Sequence, residues 1–207
     1  MSVAQTRVMD MAHVKKCARD LLTAIDKVVE SVAENEIEFL IKTLMSAKES
    51  KILLIGSGRS GFVGKCFALR LMHLGFNVYV SGETITPALR KDDLVIAISG
   101  SGMTRTVVSQ AEVAKEIGAK VMSITSHPDS ALGRISDLVI VVKGRTKIAK
   151  EDDYVSRQMI GEYEPLAPLG TMFELSVLVL LDSIIAELML CMGKNEEDLR
   201  KRHAAIE

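Results

Sequence analysis

The sequence predicts an α/β protein: a three-layer sandwich around a five-stranded parallel sheet with flavodoxin-like or Rossmann-like winding, preceded by helices. Three observations predict it. Short, continuous apolar runs recur along the chain, helical stretches ending in glycine separate them, and two of the runs lead into turns rich in serine and glycine.

The elements follow in order. Met11, Val14, Leu21, Ala24, Ile25, Val28 and Val32 recur at three- and four-residue steps, and Ile37, Leu40, Ile41, Leu44 and Met45 continue the pattern after the polar break Glu34-Asn35-Glu36. Residues 8–48 therefore read as two helices that either cap the domain or pack against another subunit. Lys51 to Gly56 is a buried parallel strand, apolar throughout its middle and closed by glycine. A helix over 60–75 ends at Gly75. Further strands are expected at 77–80, 94–98, 120–125 and 138–142, with a helix from Thr104 to a stop at Gly118. Residues 143–170 read as a long connection, polar at first and then carrying Pro165 and Pro168, and long connections are usually functional or mobile. A strongly apolar helix over 171–192 and a short charged helix over 195–206 close the chain. One domain is expected, divided into N-terminal helices 1–48, sheet core 49–142, long loop 143–170 and C-terminal helices 171–207.

Composition excludes several classes. The net charge is −1, from 26 basic and 27 acidic residues, so nothing in the global balance favours nucleic acid or an anionic membrane as a partner. An anionic ligand must be held by a local site. Cys17, Cys66 and Cys191 are odd in number and lie in apolar helical contexts, which predicts reduced, buried thiols and a cytoplasmic protein. There is no CxxC pair to suggest zinc or redox chemistry, and no metal or cofactor is expected. The N-terminal segment has no signal-peptide core. The apolar stretch from Leu175 to Met192 carries Asp182 and Glu187 and falls short of a membrane span.

Two loops carry the chemistry. Gly56-Ser57-Gly58-Arg59-Ser60-Gly61 fits the GxGxxG pattern after a strand and before a helix, and Glu83 follows near the end of the second strand. Alone, this admits a nicotinamide cofactor. The second loop, Ser99-Gly100-Ser101-Gly102-Met103-Thr104, packs three hydroxyls between glycines at the end of a strand and the start of a helix. Unpaired amides and the positive end of the helix dipole lie there as well, so the turn suits a phosphate dianion without a lysine. An N-cap needs one hydroxyl, not three. Two such loops at strand carboxyl ends suggest one phosphate on 99–104 and a sugar body reaching toward Ser57 and Ser60.

At these residues the chain resembles the SIS (sugar isomerase) family, whose phosphate loop follows a Ser-x-Ser-Gly-x-Thr pattern. Within it, the chain is similar to the 6-phospho-3-hexuloisomerases. Gly58-Arg59-Ser60-Gly61, Arg70-Leu71-Met72-His73-Leu74-Gly75, Gly82-Glu83-Thr84, Gly170-Thr171-Met172-Phe173-Glu174 and Lys201-Arg202-His203 carry the likeness, which runs from about residue 35 to the end. The resemblance implies interconversion of D-arabino-hex-3-ulose 6-phosphate and fructose 6-phosphate through an enediol, by a homotetramer without metal. A different aldose–ketose phosphate isomerase and a non-catalytic sugar-phosphate sensor are the alternatives.

Such a carbonyl shift needs a base and donors for the developing oxyanion. Glu174 is the candidate base. From the residues alone, its place at a helix start is equally explained by dipole complementarity or by a capping box with Thr171, and the resemblance favours the base. His73 and His203 are candidates for moving protons between oxygens; His203, near the chain end in a charged helix, could serve a site only by reaching a neighbouring subunit. Arg59 could hold an enediolate oxygen, and Glu83 is a second carboxylate candidate. His13 and His127 read as structural or solvated.

Overall fold

A computed structural model describes residues 11–144, 168 and 170–203. Helices α1 (Met11–Glu30) and α2 (Glu34–Ser46) lead into strand β1 (Lys51–Gly56) and helix α3 (Gly58–Leu74). Strands β2 (Asn77–Val80) and β3 (Leu94–Ile98), helix α4 (Arg105–Ile117), strand β4 (Lys120–Thr125), a short helix α5 (Ala131–Ile135) and strand β5 (Leu138–Val141) follow. Helices α6 (Thr171–Cys191) and α7 (Glu196–Arg200) come last. Most of the long connection expected at 143–170, and the end of the charged helix expected over 195–206, lie outside the described residues.

The five strands are parallel in the order β2-β1-β3-β4-β5. Successive side chains on a strand point to opposite faces, and the apolar residues divide accordingly. Ile52, Leu54, Ile96 and Ile98 join α2, α3 and α6 in one core, which includes Leu40, Phe67 and Phe173. Leu53, Ile55, Val95 and Ala97 join α4 and α5 in the other, around Val107 and Ala111. All five residues of β3 are buried, as a central parallel strand covered on both faces requires. The chain leaves β1 toward β2 on one side and returns through β3 toward β4 and β5 on the other. The crevice between the carboxyl ends of β1 and β3 is therefore the topological switch point.

Two expectations need correction, and one element was not foreseen. Glu34-Asn35-Glu36 is not the break between the first helices; it is the first turn of α2, and the turn falls at Ser31–Ala33. Acidic residues at a helix start are favoured by its dipole, and Glu36 goes further by accepting the edge-strand amide of Val141 at 2.7 Å. The thiols are free but not buried: Cys66 and Cys191 are exposed and Cys17 is half-buried. Cys66 lies outside the buried face formed by Val63, Phe67 and Leu71, so an apolar helix did not imply a buried position for it. Helix α5 had no periodic signal because it is five residues long, started by the Ser130 side chain accepting from the Gly133 amide.

The amino ends of the strands are tied by two aspartates in matching roles. Asp93, just before β3, accepts the backbone amides of Lys51 and Arg90 at 2.9 and 2.8 Å and the Lys51 ammonium at 3.2 Å. Asp137, just before β5, accepts the Val121 amide at 2.8 Å and the Lys115 ammonium at 2.5 Å. Burial alone would push both carboxyls up; these hydrogen bonds outweigh it and hold both below the ordinary carboxylate value.

Candidate active site

The β1–α3 turn places Ser57 at the N-cap of α3, with Arg59 and Ser60 in the first turn. An added Cβ on Gly56 would stand 2.9 Å from the Gly61 Cα, so both glycines are needed for the helix to start this close to its strand. The β3–α4 turn lies across the switch point. Its Thr104 is the N-cap of α4. Neither Ser57 nor Thr104 makes a side-chain capping hydrogen bond. The opening turns of two helices, of 17 and 13 residues, thus face the crevice without a cap from their own N-cap side chains.

The 99–104 turn is held from behind. Ser99, which is buried, places its hydroxyl 3.0 Å from that of Thr104. Ser101 accepts the Met103 amide at 3.2 Å. The Gly100 carbonyl accepts the Ser126 amide at 3.0 Å, and the Gly102 carbonyl accepts the Leu132 amide at 3.0 Å. Gly102 has φ +61°, and a Cβ there would stand 1.9 Å from the Ser130 hydroxyl, so both conformation and space demand glycine. Met103 is exposed at the mouth of the turn.

Helix α6 supplies the carboxylate. Its N-cap is Gly170, so Thr171 is the first helical residue and the capping box with Glu174 is not formed. The Glu174 side chain is instead ion-paired with the Arg59 guanidinium, an interaction spanning 115 residues of sequence. Glu174 is 13% exposed and Arg59 59%. The preceding residue, Phe173, lays its ring 3.0 Å from where a Gly100 Cβ would be, which packs α6 against the 99–104 turn. The structure therefore brings Arg59, Glu174 and both loops to one crevice.

His73 and His203 are not in that crevice. They stack on each other, with ring centroids 4.0 Å apart, at the carboxyl end of α3. Arg59 and His73 are separated by roughly 21 Å along the helix axis, at 1.5 Å per residue. His73 is buried and His203 exposed. Glu83 is on the surface, in an ion pair with Lys65 at 2.6 Å. The His13 ring lies 3.5 Å from Cys17 Sγ within α1, and the His127 amide donates to Thr125 Oγ1 at 3.2 Å. Phe173 and Ser130 were not singled out as site residues. Phe173 had a signal in its place beside Glu174, whereas Ser130 lies in a loop whose approach to Gly102 no local pattern announces.

Fold and site together define a doubly wound α/β protein with two serine- and glycine-rich turns at its switch point and an arginine-paired carboxylate beside them. The chain belongs to the SIS domain family, whose model matches residues 44–155. A 3-hexulose-6-phosphate isomerase from Methanocaldococcus jannaschii is 39% identical over 84% of this chain and 85% of its own length. An uncharacterised protein from Aeropyrum pernix is 57% identical over 77% of this chain and 76% of its own. A crystal structure from Methanococcus jannaschii, described as inferring a molecular function of 3-hexulose-6-phosphate isomerase, has a TM-score of 0.71 and 36% identity over 95% of this chain and all of that one. Among the described residues no helix is long and apolar enough to cross a membrane.

Proposed function

We propose that the chain is a sugar-phosphate isomerase interconverting D-arabino-hex-3-ulose 6-phosphate and fructose 6-phosphate. The Arg59–Glu174 pair beside an uncapped, hydroxyl-rich turn is the observation that carries this reading. The named relatives support it.

The phosphate sits on Ser99, Gly100, Ser101, Gly102, Met103 and Thr104, bound by hydroxyls and by the amides that open α4. The helix end contributes roughly 0.3–2 kcal/mol, so several hydrogen bonds share the task. The sugar body extends across the switch point, where Ser57 and Ser60 meet its hydroxyls. Glu174 takes the proton from C3 of fructose 6-phosphate, and the electron pair of that C–H bond forms the C2–C3 double bond of an enediol. Return of the proton to C2, with loss of the proton on O3, leaves the carbonyl at C3. No electrons leave the substrate. Arg59, released from Glu174 by the incoming sugar, faces the oxygen on which negative charge develops. His73 and His203 remain the candidates for moving protons between O2 and O3. Their distance from Glu174 within one chain means that they serve only if copies of the chain assemble, as the homotetramer implied by the resemblance would allow. A cytoplasmic setting accords with three free thiols.

The test is turnover. Purified protein is incubated with hex-3-ulose 6-phosphate, arabinose 5-phosphate and a heptose phosphate, and products are followed by NMR. Fructose 6-phosphate from the first alone is expected. Turnover of an aldose phosphate instead would move the chain to another branch of the family, and binding without turnover of any would make it a sensor.

A further inference from the structure

Three glycines from separate stretches of chain converge on the first turn of α6. Gly100 comes from the β3–α4 turn, Gly144 from the chain leaving β5, and Gly170 is the N-cap of the helix itself. A Cβ on Gly100 would stand 3.0 Å from Cδ1 and 3.1 Å from Cγ of Phe173. A Cβ on Gly144 would stand 2.9 Å from the N, Cα and Cβ atoms of the same residue. A Cβ on Gly170 would stand 3.2 Å from Oε1 of Glu174. Phe173, which is buried, is therefore held from two sides, its ring by the 99–104 turn and its backbone by the chain beyond β5.

Of the three, Gly170 has a backbone that favours glycine, with φ +90°. Gly100 and Gly144 lie outside the left-handed region, so what excludes a side chain at either is the closeness of Phe173. Further along α6, Val177, Leu180, Leu181 and Ile184 pack into the core through their side chains. At Phe173 two loop backbones close in as well. Glu174 is the next residue, and its amide donates to the Gly170 carbonyl at 3.0 Å, so the carboxylate rides on the same turn. A base must stand within about 3–3.5 Å of the atom it attacks, and a misplacement of about 1 Å costs about 10²-fold in rate.

We propose that Phe173 is a positioning residue: clamped between Gly100 and Gly144, it fixes the Glu174 carboxylate relative to the 99–104 turn, so that an anion seated on that turn and the carbon to be deprotonated keep one set distance from the base. The catalytic half of this inference rests on the isomerase reading; the mechanical link between the turn and Phe173 does not.

The link is tested first, in otherwise wild-type protein carrying para-fluorophenylalanine at position 173 alone. Titration with inorganic phosphate, followed by fluorine NMR, should move that resonance along a saturable curve. Saturable phosphate binding that leaves the resonance where it was, or no phosphate binding, overturns the link. Positioning is tested with two variants. Gly144→Ala puts a methyl group against the Phe173 backbone, and Phe173→Leu loosens the clamp while keeping an apolar side chain. Each should lower kcat by about 10- to 100-fold and leave the affinity for inorganic phosphate within about twofold of wild type. The control is Val177→Ala, one turn further along the same helix, where the side chain is fully buried. It should lower the urea midpoint and leave kcat unchanged. Unchanged kcat in both clamp variants, or an equal loss of kcat in Val177→Ala protein, overturns the positioning role. Wild-type protein that turns over no sugar phosphate, yet shifts the fluorine resonance on binding phosphate, would refute the isomerase reading and leave the link standing.

Discussion

Arg59 and Glu174, 115 residues apart in sequence, form an ion pair at the mouth of the switch-point crevice. One comes from the first turn of α3 and the other from the first turn of α6, so the pair exists only when both helices dock on the same face of the sheet. Arg59 is the more exposed partner and the one free to swing toward a ligand. Replacing it by Met keeps the stem and removes the donors. The expected result is a loss of roughly 10- to 100-fold in kcat/KM, the value of one hydrogen bond to a charged group. Unchanged kinetics would remove Arg59 from the reaction.

Glu174→Gln preserves shape and removes the proposed base. Turnover should drop by about 10²-fold or more while the KM for fructose 6-phosphate stays near the wild-type value. Glu174 is not a capping-box partner, because Gly170 occupies the N-cap, so the melting temperature should change little. A large fall in thermal stability with modest loss of rate would make it a structural carboxylate.

The 99–104 turn should show the opposite kinetic signature. Thr104→Val removes one proposed phosphate donor and also the 3.0 Å contact with Ser99. It should raise KM by roughly tenfold or more and lower kcat far less. Gly102→Ala is harsher, since its Cβ would fall 1.9 Å from the Ser130 hydroxyl at φ +61°. Titration of this variant with inorganic phosphate should show no saturable binding, whereas wild-type protein saturates.

Asp93 gives a prediction about pH and stability. Burial opposes its ionisation, but the Lys51 and Arg90 hydrogen bonds win and lower its pKa. A carboxyl depressed in the folded state contributes stability that is fully present above its unfolded value and is lost as pH falls through the folded value. Asp93→Asn should cost about 1–3 kcal/mol in urea unfolding at pH 7, through the poorer acceptor set it leaves to two backbone amides. The difference between wild type and variant should shrink below about pH 4 as Asp93 protonates. A gap independent of pH would mean that the charge is not what these amides require.

How much was legible follows from which interactions are local. The strands were read nearly to the residue because burial on both faces writes continuous apolar runs such as Leu94–Ile98, and glycine stops mark α3 and α4. Both candidate loops could be picked out because their residues are contiguous. What the sequence hid is long-range. Nothing near Arg59 announces Glu174, and nothing near Gly102 announces Ser130. His73 and His203 could be named as reactive types, but their stacking on each other, away from Glu174, depends on how α7 returns to the end of α3. The exposure of Cys66 was misjudged for a related reason. Helix α3 carries exposed apolar residues such as Phe62 and Leu69 besides its core face, and composition does not separate the two.

The most direct measurement is hydrogen exchange into fructose 6-phosphate in deuterated water, followed by NMR. A carbonyl that moves between C2 and C3 requires removal of the proton on C3, so the C3 proton signal should disappear with wild-type protein, persist with Glu174→Gln, and persist for unphosphorylated fructose. Exchange at C1 in place of C3, or none at all, would contradict the account.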